Sequence, residues 1–244
     1  MRVLIVSDIH SNYTALETVL AVVGSFDQLW NLGDTIGYGP RPNECVLAMR
    51  LHADVLIGGN HDLACLGKVD LSDFNPDART ANIWNGEQLD PNNRTLLDAL
   101  PPLRSIDERF LVAHGSPREP IWEYLLSRPQ AEDNFALFAQ QVCFIGHSHV
   151  PLIFRRHPSG QCDEPQLAEA DLTLDLATGH RYLLNPGSVG QPRNQDPRAA
   201  YAILDTDAGT VQFKRIEYDI AQTQRQMRDA RLPTALIRRL EYGM

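Results

Sequence analysis

Val3-Leu4-Ile5-Val6-Ser7-Asp8-Ile9-His10-Ser11-Asn12 runs from four consecutive aliphatic residues into a cluster of polar and ionisable ones. A continuous apolar run of this length is the pattern of a buried strand. Asn12 then stands where a helix N-cap belongs, and Leu16, Val19, Leu20 and Val23 recur at helical spacing until Gly24 ends the segment. The alternation continues with a strand over Gln28 to Leu32, a helix over Asn43 to Leu51 and a strand over Asp54 to Ile57. This βαβαβ order predicts a mainly parallel sheet with covering helices, an α/β arrangement.

Downstream, Ala78 to Leu100 reads as helix, broken at Asp90-Pro91 and closed by Pro101-Pro102. Leu103 to Ile106 and Phe110 to Ala113 read as short strands, Gln130 to Gln140 as helix, and Val142 to Ile145 as strand. After Gly146 the texture changes. Leu152 to Arg155, Leu172 to Leu176, Tyr182 to Leu184, Ala200 to Leu204 and Thr210 to Ile216 are short, β-branched-rich runs between turn signals. They predict a second, more antiparallel sheet. Pro158 to Glu164 reads as an exposed loop, and Ile220 to Leu240 as a helix interrupted near Pro233. The arginines of that helix, at 225, 228, 231, 238 and 239, read as a solvated face. No linker composition divides the chain, so residues 1–244 are expected to form a single domain.

At 244 residues the chain can bury a substantial core, and 43% hydrophobic with 22% charged residues is ordinary for a globular protein. A net charge of −9 weighs against a protein that tracks long nucleic acid, which needs clustered Lys and Arg. Cys45, Cys65, Cys143 and Cys162 show no metal or redox spacing and read as reduced, partly buried thiols. The apolar start is too short for a signal-peptide core, and no run reaches the ~18 apolar residues of a membrane helix. The expected location is cytoplasmic, with no membrane partner.

Five short motifs carry the chemistry: Asp8-Ile9-His10, Gly33-Asp34, Gly59-Asn60-His61-Asp62, Ala113-His114-Gly115 and Gly146-His147-Ser148-His149. Each lies just past the carboxyl end of an expected strand, where open α/β sheets build ligand sites. Singly, an Asp-x-His or a Gly-Asp is a common turn. In this order, with five of the eight histidines among them, they form a constellation of carboxylate, carboxamide and imidazole. Such a mixed set suits Mn, Fe, Zn, Co or Ni, and two ions ~3.5–4 Å apart would clamp an in-line phosphoryl displacement.

The ordered motifs resemble those of the calcineurin-like metallophosphoesterases, from Asp8 to His149. Asn185-Pro186-Gly187-Ser188-Val189-Gly190 followed by Arg193 is similar to the small prokaryotic phosphodiesterase branch. The resemblance implies a four-layer αββα sandwich of two mixed β-sheets flanked by helices, an α/β (mixed α+β) fold. It implies two divalent transition-metal ions, manganese first, with Fe, Zn, Co or Ni as alternatives. Asp8, His10 and His149 would hold one ion, Asn60, His114 and His147 the other, with Asp34 bridging. His61 would be the catalytic residue that faces substrate, and Asp62 would orient it.

Gly33-Asp34-Thr35-Ile36-Gly37-Tyr38-Gly39-Pro40 lacks the arginine that the protein serine/threonine phosphatases carry after this motif, which argues against that activity. The implied reaction is hydrolysis of a small phosphoester, a phosphodiester first. A hydroxide bridging the ions would attack while His61 protonates the leaving oxygen or donates to a non-bridging one. A dinucleoside polyphosphate hydrolase and a non-catalytic metal-binding scaffold are the alternatives. Partners are thus a small phosphoester or nucleotide substrate, with oligomerisation left open. Arg193 is the expected substrate-binding cation, against a surface pair with Asp196. Tyr38 and Trp122 are candidate ring platforms, with core packing favoured for both. Selectivity is expected from the loops Leu66 to Ala78 and Gly115 to Pro129.

Overall fold

The computed structural model describes residues 1–244. Its first half contains β1 (Arg2–Val6), α1 (Tyr13–Val23), β2 (Gln28–Asn31), α2 (Pro42–His52), β3 (Val55–Leu56), α3 (Asn60–Cys65), α4 (Pro76–Gln88), α5 (Pro91–Asp98), β4 (Leu103–Ser105) and β5 (Phe110–Ala113). Then follow α6 (Arg128–Phe135), β6 (Val142–Phe144), β7 (Leu152–Arg156), β8 (Gln166–Leu167), β9 (Thr173–Asp175), β10 (Arg181–Asn185), β11 (Ala199–Asp205), β12 (Thr210–Ile216), α7 (Ile220–Asp229) and α8 (Thr234–Arg239).

β1 shows why four aliphatic residues follow one another. Val3 and Ile5 enter the core between two sheets, whereas Leu4 and Val6 pack beneath Leu16 and Val19 of α1 and Met49 of α2. Both faces are buried, so a strand has no polar side to show. The same alternation recurs in β5, where Phe110 and Val112 point between the sheets while Leu111 and Ala113 meet Ala131 and Phe135 of α6. Helix, sheet, sheet and helix thus stack as four layers, as expected.

The first sheet has the order β3-β2-β1-β11-β12-β9 and the second β4-β5-β6-β10-β7-β8. β1 to β3 are mutually parallel, as are β5, β6 and β10, while β11 joins the first sheet antiparallel to β1. The strands after Gly146 therefore do not form a sheet of their own. β10 completes the parallel centre of the second sheet, and β9, β11 and β12 extend the first. Alternation reveals which residues of a strand share a face but not its neighbour, which is set by long-range pairing. The all-buried run Ala199 to Leu204 is the mark of an interior strand.

Two local expectations also shift. The helix expected over 130–140 is α6, which starts earlier because Ser127 and Gln130 form a capping box, and ends at Phe135. The loop of residues 158–164 is exposed at Pro158 to Gln161, but Cys162 is buried beside Phe154 and Phe135 and bridges to Arg156. No helix is long and apolar enough to cross a membrane.

Candidate metal centre

All five motifs emerge at one edge of the two sheets, beyond the carboxyl ends of β1, β2, β3, β5 and β6. The backbone there is bent tightly. Asp8, His10, Asp34, His147 and His149 adopt φ of 53°, 50°, 51°, 64° and 59°, the left-handed region that side chains disfavour. Such residues cost of order 1–3 kcal/mol each and persist only where the surroundings hold them. Here Asp8 N–H donates to Gly33 O at 3.1 Å and His10 N–H to Asp34 O at 2.9 Å, lacing the first two loops together. Gly59 completes the lacing by close approach, since a Cβ there would lie 2.1 Å from Asp34 Oδ1.

Buried side chains converge in two groups that share Asp34: Asp8, His10, Asp34 and His149, and Asp34, His114 and His147. His149 Nε2 lies 3.4 Å from Asp8 Oδ1, and His10 Nε2 3.6 Å from Asp34 Oδ2. On the other side His114 Nε2 is 3.4 Å from Asp34 Oδ2 and 3.1 Å from Asn60 Oδ1. All seven expected ligand residues are thus gathered around one shared carboxylate.

The donor chemistry decides what this cluster can hold. The Nδ1 atoms of His10, His114 and His149 lie 3.2, 2.9 and 2.6 Å from the carbonyls of Ile36, Leu32 and Gln191, so each must be the N–H that donates. In His10 and His149, whose rings burial keeps neutral, each Nε2 is then a bare lone pair. Yet His10 Nε2 faces His149 Nε2 at 3.1 Å, acceptor against acceptor. Asp34 Oδ2 and His147 Nε2 are buried without any hydrogen-bond partner. Acceptors turned toward acceptors in a buried site are unfavourable without a cation among them. The residues therefore fit a pair of divalent ions.

Electrostatics agree. Burial drives His10 and His149 well below the ordinary histidine range and His147 to about 3, leaving neutral imidazoles. Burial also raises Asp8 to about 7. For Asp34 burial is outweighed by the His114 and His61 imidazoles, which hold its carboxyl below the usual range. His114 rises to about 9, because Asp34 overcomes the effect of burial. The pair keeps one proton in a place where a divalent cation would displace it.

Around the ligands the picture departs from expectation. His61 N–H donates to Asp34 Oδ1 at 2.8 Å, and its ring Nδ1 lies 2.8 Å from Asn82 Oδ1 on α4. Asp62 does not orient His61. Its carboxylate accepts from Gly59 and Ile36 N–H at 2.9 and 3.0 Å, capping α3 and pinning the Asp34 loop. Ser7 was also unforeseen, its hydroxyl donating to Asp8 Oδ2 at 2.7 Å. Neither Asn82 nor Ser7 lies in a recognisable spacing, although Ser7 adjoins Asp8.

Arg193 does not pair with Asp196, which is taken by Arg198 at 2.6 Å and Arg215 at 3.5 Å. Instead Arg193 Nη2 donates to the Tyr38 hydroxyl at 3.3 Å and to Gln191 Oε1 at 2.9 Å, while its Nε is buried without a partner. Tyr38 is buried against His61 and His10, in keeping with core packing. Trp122 is not, being 38% exposed. Along the C-terminal segment Arg225, Arg228, Arg231 and Arg238 are solvated, but Arg239 is half-buried, donates to the Met244 carbonyl, and is pushed down to about 10 by burial and the nearby Arg193 charge.

Comparison with known proteins accords with this geometry. The model of the calcineurin-like phosphoesterase superfamily domain matches residues 1–209. A metallophosphoesterase from Sphaerobacter thermophilus is 47% identical, each chain covered completely, with a TM-score of 0.91. An uncharacterised protein of Methanocaldococcus jannaschii is 35% identical over 98% of this chain and 97% of its own length. A hypothetical protein from Pyrococcus horikoshii, 20% identical, shares the fold over 100% of this chain and 98% of its own at a TM-score of 0.80. The chain belongs to the calcineurin-like phosphoesterase superfamily and is a phosphoester hydrolase.

Proposed function

We propose that the protein hydrolyses a small phosphodiester at two divalent ions, manganese foremost. Asp8, His10 and His149 would hold one ion, Asn60, His114 and His147 the other, and Asp34 both. The observation that carries this is the pair of bare Nε2 atoms of His10 and His149 facing each other beside the unpartnered Asp34 Oδ2 and His147 Nε2. When bound, the ions would supply Lewis acidity at phosphorus and lower the pKa of water there.

The remaining work falls to protein groups. Asn82 fixes the His61 ring through Nδ1, which leaves Nε2 free for a proton to the leaving oxygen. Burial takes His61 to about 4, so the ring is neutral at pH 7 and takes up its proton beside the substrate's negative charge. Arg193, with its unpartnered Nε, would bind a non-bridging phosphate oxygen. One arginine beside the ions suits a monoanionic diester. The four free, buried cysteines suit a reducing cytoplasm.

Metal-stripped protein reconstituted with Mn²⁺ should hydrolyse bis-p-nitrophenyl phosphate faster than p-nitrophenyl phosphate or diadenosine tetraphosphate. His61→Ala should lose ~10²–10⁴-fold in turnover on an alkyl diester while keeping both ions, whereas His147→Ala should lose metal. Preference for the tetraphosphate would replace the diester by an anhydride. Absent turnover with both ions bound would point to a scaffold.

A further inference from the structure

The segment after His114 has an unusual construction. Gly115 lets the chain fold back, since a Cβ there would meet Glu119 O at 2.8 Å and Glu123 N at 3.1 Å. Beyond it, residues alternate between anchored and open. The Glu123 carboxylate accepts from Ser116 Oγ at 2.5 Å and Asn134 Nδ2 at 3.1 Å and pairs with Arg118, while Leu125 is buried against the second sheet. Between and beside these anchors Trp122, Tyr124 and Leu126 stay 38%, 45% and 50% exposed. Burial would normally claim the two aromatic rings.

Tyr124 adjoins the candidate metal centre, and Trp122 is linked to it through Phe74. Tyr124 stacks on His147 with centroids 4.0 Å apart and an interplanar angle of 22°. Trp122 meets Phe74 at 5.5 Å, and Phe74 meets His61 at 4.9 Å. Arg193, already bonded to the Tyr38 hydroxyl, also faces the Tyr124 hydroxyl. An apolar, aromatic wall thus stands next to a cation and the groups that would handle a phosphate. Small-ligand sites have this composition, with aromatic lining and a few convergent polar groups.

We infer that Trp122 and Tyr124 are specificity residues that seat a nucleobase, so that the ester cleaved at this site is carried by a nucleoside. The inference rests on the phosphodiesterase function proposed above and adds its substrate class. A base is favoured over an alkyl chain because both half-exposed side chains are planar aromatic rings, Tyr124 backed by His147 and Trp122 by Phe74. Stacking needs such a face and little side-chain reordering. The Arg193 guanidinium, held by the Tyr38 hydroxyl and Gln191, would take the phosphate, matching a substrate with an aromatic end and an anionic one.

The test compares adenosine 5′-monophosphate with ribose 5-phosphate as inhibitors of the Mn²⁺-loaded enzyme acting on bis-p-nitrophenyl phosphate. The nucleotide should inhibit at least about 10-fold more tightly. Trp122→Ala and Tyr124→Ala should each erase most of that preference, and Trp122→Phe and Tyr124→Phe should preserve it. Equal inhibition by the two probes in the native protein would overturn the inference, as would alanine variants that weaken both probes alike. Tryptophan fluorescence of the metal-loaded protein gives a second readout that needs no turnover. Nucleotide-specific quenching that vanishes in Trp122→Phe supports the platform even if no ester is hydrolysed, and quenching absent or equal for both probes sinks it.

Discussion

Asn82 sits on α4, outside every motif, yet its Oδ1 is the partner that orients the His61 ring. The neighbour suggested by sequence, Asp62, is engaged with two backbone N–H groups instead. Adjacent helical residues point about 100° apart, so Asp62 at the start of α3 cannot face the ring beside it. A partner from another helix leaves no trace in local spacing. Removing Asn82 should free the ring without touching a metal ligand. We expect Asn82→Ala to lower kcat by ~10–100-fold, the usual effect of losing an orienting partner. Metal content measured by emission spectroscopy and KM should stay near native. Asn82→Asp, which keeps an acceptor at the same place, should recover most of the loss. A fall in metal content, or no recovery, would mark Asn82 as a packing residue only.

Between elements, Asn12 does more than its place in the sequence suggests. As expected, its Oδ1 caps α1 by accepting from Ala15 N–H at 3.2 Å. The same oxygen accepts from Thr223 Oγ1 of α7 at 3.0 Å, and Nδ2 donates to Gly190 O at 3.0 Å and the Tyr218 hydroxyl at 3.1 Å. One buried amide therefore ties α1, α7 and the loop that leads to Arg193. Losing a cap costs about 1 kcal/mol, and each buried group left unpaired adds about 1–3. Asn12→Ala should lower the unfolding free energy by about 2–4 kcal/mol, read as a shift in the urea midpoint at unchanged slope. Loss below 1 kcal/mol would mean that water replaces the amide. The cap was legible because it needs only its own helix, whereas the α7 and loop contacts span more than 170 residues of chain. Strand order was hidden for the same reason. Ala199 to Leu204 announced a strand, but only the fold shows it lying beside β1.

For the molecule as a whole, the site was more legible than the fold that carries it. Every expected ligand occurs in a motif of a few residues, and five strand ends bring those motifs to one edge. Chemistry selects residue types that remain visible in sequence, whereas pairing of apolar strands is a property of shape. The Trp122–Tyr124 wall fell between the two, since an exposed tryptophan and a buried one look alike in sequence. The same convergence of acceptors makes metal binding a stability term. Ions that bind only the folded state add RT ln(1 + [L]/Kd), ~2.7 kcal/mol at one hundred times Kd. For a chain of this size ~2–4 °C accompanies each kcal/mol. Chelator-treated protein should therefore unfold about 5–10 °C lower than the same protein with saturating Mn²⁺. Asp34→Asn should flatten that rise, because the Asp34 carboxylate belongs to both groups of converging side chains. Differential scanning calorimetry with EDTA, then with titrated Mn²⁺, measures it directly. A melting temperature unmoved by Mn²⁺ in the native protein would show that the buried acceptors hold no ion of that kind, and would overturn the proposed centre before any substrate is tried.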